Sequence, residues 1–388
     1  MQNIPLFKIC WDEHDVEKVS SVIRKGMYWA TGPEIKEFEK KLAEYAGVKY
    51  ALSLNSGTSA LHAVLAAHDI GRGDEVIVPS FTFIATANAA LFVGAEPVFA
   101  EIEGETYGLD PADVEMRITP KTKAIMPIHY GGSPCQIEKL KAIAGKHKLI
   151  LIEDAAESLG AAINNKRVGS FGDSAILSFC SPKVITMGEG GMIFTDSRDV
   201  YEKARLIYNH GRAEMTDYFS STEQMEYVTL GYNFRMSTMT AALGLSQMDK
   251  IDKVIHMRRE NAECLSKALS KIEEVEVPRE LPSYFSVYQM YTIRIRGREG
   301  IRDRLKEYLN QNGIGAKVYF DPIHLSLFYG RKFGYKRGDL PTTERICQEV
   351  LTLPMYPGLT ESEIDYIAEK VKGFFLQSVA SHLNKQGA

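Results

Sequence analysis

Apolar residues in the first half of the chain recur in two alternating periods. In EIKEFEKKLAEY, residues 34–45, Ile35, Phe38, Leu42 and Tyr45 share one face at helical spacing, which predicts a helix. Tyr50–Leu54 reads as a strand, and NSGTSALHAVLAAH after it as a turn opening a buried helix rich in Ala and Leu. The pair then repeats. GRGDEVIVPS is a turn and an apolar strand, TFIATANAALFVGA a small-residue helix, and EPVFAEI a strand. Residues 123–127 form a further strand, and Ile137, Leu140 and Ile143 mark an amphipathic helix. LILIED, residues 149–154, is a continuous apolar run closed by two acids, and AILSF and GGMIFTD are two more short strands. Strands alternating with helices over about 150 residues predict an α/β fold with a mostly parallel sheet covered on both faces.

Near residue 250 the pattern changes. IDKVIHMRRENAECLSKALSKI is a long connecting helix and VYQMYTIRIRG an alternating strand. Thr360 and Glu363 form a capping box opening the helix EIDYIAEKVKGFF. The expected division is a large α/β domain over residues 1–250 and a smaller α+β domain over 251–388. The first 25 or so residues are expected to pack on the latter.

Composition narrows the class without naming a chemistry. At 388 residues, 45% apolar and 25% charged, the chain is average for a folded soluble protein. It is long enough to bury a core without metal or disulfide staples. Forty-six basic against 50 acidic residues leave a net charge of −4, with no electrostatic footprint for nucleic acid. No apolar run approaches the roughly 20 residues that cross a bilayer. The N-terminus MQNIPLFKICWDEHD turns acidic at once, unlike a secretory signal. Five scattered cysteines without a CxxC fit reduced thiols in a cytoplasmic protein, with no metal centre and no membrane partner. GxGxxG after the first strand, GxxxxGK[ST], HExxH and GxSxG are all missing.

Three local features carry chemistry. NSGTSAL, residues 55–61, places small polar residues and free amides at a helix start, suited to a phosphate, although such residues also serve simply as caps. Asp154 ends an apolar strand, where a desolvated carboxylate needs a partner such as a pyridinium N–H, or caps a loop. Lys183, in SFCSPKVITMGEGGM, lies between a strand and a glycine turn, where partial burial favours the neutral amine that forms Schiff bases. A phosphate turn, a strand-end Asp and a strand-end Lys in that order meet the three needs of pyridoxal 5′-phosphate.

These segments resemble the DegT/DnrJ/EryC1/StrS family of sugar aminotransferases, within the fold-type I pyridoxal phosphate (PLP) enzymes. The resemblance rests on GMYWATGPEIKEFE, NSGTSAL, GDEVIVPSFTFIATANA, IHYGG, IEDAAESLGA, SFCSPKVITMGEGG, NHGR and GYNFRMS, and it spans nearly the whole chain. It implies a PLP-transferase fold with a mostly parallel central sheet flanked by helices. Gly57, Thr58 and Ser178 would hold the phosphate, joined by Asn233 from a neighbouring subunit of a homodimer. Phe83 would stack on the ring, Asp154 would pair with its nitrogen, and Lys183 would form the Schiff base. Glu157 falls where many members have Gln or His near the ring hydroxyl. Glu189, Arg212 and His324 lie in segments that the family brings to the substrate cleft. Arg212, Tyr28 and Trp29 are candidates for a diphosphate. His129 in IHYGG is either a supporting group or a core histidine.

The implied reaction moves an amino group from an amino acid, most often L-glutamate, to a keto sugar bound through its nucleoside diphosphate. Glu157 and SFCSPKVITMGEGG lean toward the members that act at C4 of 4-keto-6-deoxy sugars. Alternatives are a dehydratase on the same scaffold, a regulatory protein, and an amino-acid aminotransferase. The last would need a carboxylate-clamping arginine such as Arg294 or Arg296.

Overall fold

The computed structural model describes residues 3–213 and 225–386, with side chains as far as residue 377. Its centre is a seven-stranded sheet of β1 (Tyr50–Leu54), β2 (Glu75–Pro79), β3 (Glu96–Ala100), β4 (Thr122–Ile125), β5 (Ile150–Asp154), β6 (Ser174–Ser178) and β7 (Gly191–Thr195). The order is β1-β7-β6-β5-β4-β2-β3. Neighbours from β6 through β5, β4 and β2 to β3 run parallel, while β7 is antiparallel to both β1 and β6. The connection 179–190 forms no helix, so β7 can only turn back beside β6, because a parallel return needs a crossover.

Both faces of the sheet are buried, as the continuous apolar runs require. Along β5, Ile152 belongs to the core beneath helices Gly57–Ala67 and Ile84–Phe92, and Leu151 to the core on the opposite face. That second core includes Phe38 and Leu42 of the helix Pro33–Ala46, so the stripe read at 34–45 faces inward.

The C-terminal part is built on an antiparallel sheet of Val275–Glu276, Tyr291–Ile295 and Val350–Leu353. The helix Ile251–Leu269 leads into it, and Glu361–Gln386 packs against that helix and Ile301–Gln311. The opening segment divides. Ile4 pairs with Ile314 and is buried in the core of the C-terminal part. The helix Glu13–Lys25, which the pattern did not announce, packs on Thr238–Asp249, and its Asp15 accepts from Gln247 Nε2 at 3.0 Å. The strand read in VYQMYTIRIRG also begins later than its alternation predicts, at Tyr291. The amides of Val287 and Met290 donate instead to the carbonyls of Gly132 and Gly131, at 2.9 and 3.0 Å, which pulls this stretch out of the ladder.

Phe38 is fully buried and meets Phe179 edge-on, with ring centroids 5.5 Å apart. Phe38→Ala is expected to lower the stability of the fold by about 3–5 kcal/mol, read as a fall in the urea midpoint with an unchanged slope.

Candidate active site

A cavity of about 470 Å³ opens at the C-terminal ends of β1, β5 and β6, the edge where open α/β sheets bind ligands. Gly57, Thr58, Phe83, Asp154, Glu157, Ser178, Lys183 and Glu189 all line it. The C-terminal part closes the far side with Gln289, Met290, Lys317, Tyr319 and Phe320.

The first wall is the start of the helix Gly57–Ala67. Ser56 caps it, its Oγ accepting from the Ser59 amide at 3.1 Å. The amides of Gly57 and Thr58 open the helix and have no earlier carbonyl within it to bond. Ser178, at the end of β6, lies against this turn: a methyl on residue 57 would come within 3.0 Å of Ser178 Cβ and 3.3 Å of its Oγ. On the other side a methyl on residue 191 would stand 2.2 Å from the Ser56 carbonyl oxygen. The last glycine of GEGG therefore lets β7 press against the turn.

The second wall is Asp154. Its Oδ2 accepts from Thr86 Oγ1 at 2.7 Å and its Oδ1 from the Ala156 amide at 3.2 Å. Thr82 Oγ1 stands 2.8 Å from Thr86 Oγ1 and donates to it, since the Thr86 proton is already committed. Burial pushes the Asp154 carboxyl above its usual range, opposed by the Thr86 hydroxyl and the Ala156 amide. Phe83 starts the next helix and keeps its ring exposed at the cavity, 6.4 Å from the ring of Phe320.

Lys183 completes the site. Its Nζ lies 3.5 Å from Glu157 Oε1, and Glu157 Oε2 accepts from the Gly131 amide at 2.9 Å. His129 lies behind this group rather than in the cavity. Its Nδ1 accepts from the Cys135 amide at 3.1 Å, so its Nε2 carries the proton toward Glu153 Oε2 at 2.9 Å. Glu153 also takes the amides of Gly169, Phe171 and Gly172. Burial disfavours its charge, yet His129 and the amides outweigh that and hold its carboxyl below the usual range.

Several expected residues do not line this cavity. His324, expected at the substrate cleft, is buried away from it, with Nδ1 2.7 Å from Ser80 Oγ and Nε2 3.1 Å from Glu344 Oε1. Both ring nitrogens are engaged, which corrects its placement. Asn233 pairs with Asn209, and Asn209 and Arg212 line a second groove with Ala30, Thr31 and Gly32. Trp29 is half-exposed beside that groove, and its carbonyl accepts from the Thr238 amide at 2.8 Å. Arg294 bonds Glu349, its Nε at 3.1 Å, and Arg296 bonds Glu276, its Nε at 2.9 Å. Neither arginine lines the cavity. Residue patterns also missed Thr86, Gln289 and Lys317. Of these only Thr86 left a trace, one helical turn after Thr82 in a segment of otherwise small and apolar residues.

Helix-start amides with a serine hydroxyl, a carboxylate held in one orientation and a half-buried amine suit a phosphate ester, a pyridine N–H and an aldehyde. The residues present thus fit PLP, and fold and cavity define a PLP-dependent enzyme of the α/β transferase class. The chain belongs to the DegT/DnrJ/EryC1/StrS aminotransferase family, whose sequence profile matches residues 10–372. A GDP-perosamine synthase of Caulobacter vibrioides is 39% identical over 340 residues, 87% of this chain and 89% of that one. PseC of Helicobacter pylori, an aminotransferase involved in the biosynthesis of pseudoaminic acid, superposes with a TM-score of 0.91 at 29% identity, over 97% and 100% of the two chains. The PLP form of a putative sugar aminotransferase from Streptococcus pneumoniae gives 0.90 at 27% identity, over 96% and 98%.

The raised Asp154 carboxyl has a thermodynamic sign. In the apoprotein the neutral form is preferred on folding, so its contribution is present at low pH and lost as pH rises through the folded value. Asp154→Asn is therefore expected to raise the apoprotein's unfolding temperature at pH 8 by a few degrees, with the gain shrinking on acidification. The same change is expected to weaken PLP retention about tenfold or more, since an amide in place of the carboxylate offers a ring N–H no charge-assisted acceptor. Thermal unfolding with and without PLP reads both.

Proposed function

We propose that this aminotransferase moves the amino group of L-glutamate to C4 of a nucleotide-linked 4-keto-6-deoxyhexose, as a cytoplasmic homodimer with shared sites. The observation that carries the reading is Lys183 Nζ beside Glu157 in the same cavity as Asp154 and the open helix start. The GDP-perosamine synthases of Caulobacter vibrioides and Escherichia coli O157:H7, 39% and 34% identical, support a nucleotide-sugar acceptor. Five free cysteines accord with a reducing compartment.

PLP supplies the electron sink when bound. In this reading Gly57, Thr58 and Ser178 bind its phosphate, Phe83 covers one ring face, and Asp154 holds the ring N–H. Lys183 Nζ removes the proton from the substrate carbon that bears nitrogen and later returns one. Glu157, fixed by the Gly131 amide, keeps the amine aimed into the cavity. Lys317 is the second cation of the cavity. Its Nζ sits 4.6 Å from the centre of the Tyr319 ring and is available to an anionic substrate group. Asn233, Arg212 and Trp29 lie outside their own chain's cavity, and we assign them to the neighbour's site. Glu189 lines the cavity and is assigned to the sugar.

Two measurements test this. Incubation with L-glutamate and a panel of nucleotide 4-keto-6-deoxyhexoses is expected to release 2-oxoglutarate and an amino sugar aminated at C4, both lost in Lys183→Ala. Absence of 2-oxoglutarate with every sugar would remove the reading. Mixing inactive Lys183→Ala with inactive Asn233→Ala chains is expected to restore activity, because hybrid dimers hold one intact site; no recovery would rule out shared sites.

A further inference from the structure

We infer that Gln289 is a positioning residue for Lys183: its side-chain amide clamps the turn carrying the lysine and closes a ring of hydrogen bonds around it. This rests on the reading of Lys183 above. Gln289 Nε2 donates to the carbonyl of Pro182, the residue before the lysine, at 2.8 Å. Proline has no N–H, so this carbonyl is the one backbone group through which residue 182 can be held by a hydrogen bond.

The clamp has a rigid mount. Val287 and Met290 donate to Gly132 and Gly131, and Ser286 Oγ adds a bond to the Gly132 carbonyl at 3.2 Å. From the other side Arg258, fully buried on the helix Ile251–Leu269, points Nη1 at the carbonyls of Tyr288, Gln289 and Met355 at 3.2, 3.3 and 3.2 Å. Gly132 makes the approach possible. Its φ is +96°, and a methyl there would stand 2.6 Å from the Gln289 amide nitrogen. The ring then closes through the turn itself: Gly131 amide to Glu157, Glu157 to Lys183 Nζ, and the Pro182 carbonyl back to Gln289.

The orientation of the amide has a cost. Gln289 is 5% exposed, and its buried Oε1 has no hydrogen-bond partner among the described residues. An unpaired buried acceptor is unfavourable, because it has given up its bonds to water. Flipping the amide would set oxygen against the Pro182 carbonyl, so the demand of that carbonyl accounts for the orphan. The clamp also links the lysine to the strand Tyr291–Ile295, next along the chain and part of the C-terminal sheet.

Gln289→Leu removes the donor, and Gln289→His offers a ring N–H in its place. In the PLP-loaded enzyme, Gln289→Leu is expected to lower kcat about tenfold, leave KM within about twofold, and shift the pH midpoint of the visible absorption band. Bound PLP stays stoichiometric, because phosphate turn and Asp154 are untouched. In the apoprotein, amide hydrogen exchange over residues 180–187 accelerates while β5 keeps its protection. Gln289→His restores both sets of values at least in part. Unchanged kcat and midpoint in Gln289→Leu, or exchange that rises throughout the fold with loss of PLP, would overturn the assignment. If the wild-type protein takes up no PLP, the functional reading fails on its own, and the apoprotein exchange still decides the clamp.

Discussion

Three carboxylates within five residues are buried at one strand end, and much of the site exists to satisfy them. Glu153, Asp154 and Glu157 are each 6% exposed or less. An ionised carboxylate out of water is tolerable only with donors at hand. Alternation along β5 sends Glu153 and Asp154 to opposite faces, so each must find its own. Glu153 takes an imidazole and three amides, which orders the loop 169–172. Asp154 takes one hydroxyl and one amide. Glu157 takes a glycine amide and the lysine. The graded supply separates their tasks. The richly hydrogen-bonded Glu153 is structural. The sparsely held Asp154 keeps capacity for a cationic ligand.

The same economy governs backbone approach. Gly191 lets β7 reach the Ser56 carbonyl, Gly57 lies against Ser178, and Gly132 admits the stretch that carries Gln289. At each point a side chain would hold apart two segments distant in sequence. The glycine-rich stretch 188–191 thus acts as a packing surface behind the helix-start amides.

The cavity has walls from both parts of the chain. The sheet edge supplies the groups suited to a bound PLP, and the C-terminal part supplies Lys317, Tyr319 and Phe320 on the facing wall. Arg258 braces the C-terminal part from within. Burial pushes its guanidinium down to about 10, and its bonds run to three carbonyls. A cation spent on backbone carbonyls fixes geometry, and here it fixes the segment that meets the lysine turn.

Local pattern determined most of the architecture. Strands β1 to β7 and the helices Pro33–Ala46, Gly57–Ala67, Ile137–His147 and Ile251–Leu269 follow from period and breakers, because elements buried on one or two faces must display that burial in their residues. Asp154, Lys183 and the turn at 55–61 were also legible, since each sits where a strand ends and polar residues interrupt an apolar run. The antiparallel turn of β7, the late start of the strand at Tyr291, the interior place of His324 and the roles of Thr86 and Gln289 were not. All but the turn of β7 depend on a partner remote in sequence: a carbonyl at Gly132, a hydroxyl at Ser80, a carboxylate at Asp154, a carbonyl at Pro182. Periodicity records which face of an element is buried, whereas a hydrogen bond between distant segments is decided only when the fold brings donor and acceptor within 3 Å or so of each other.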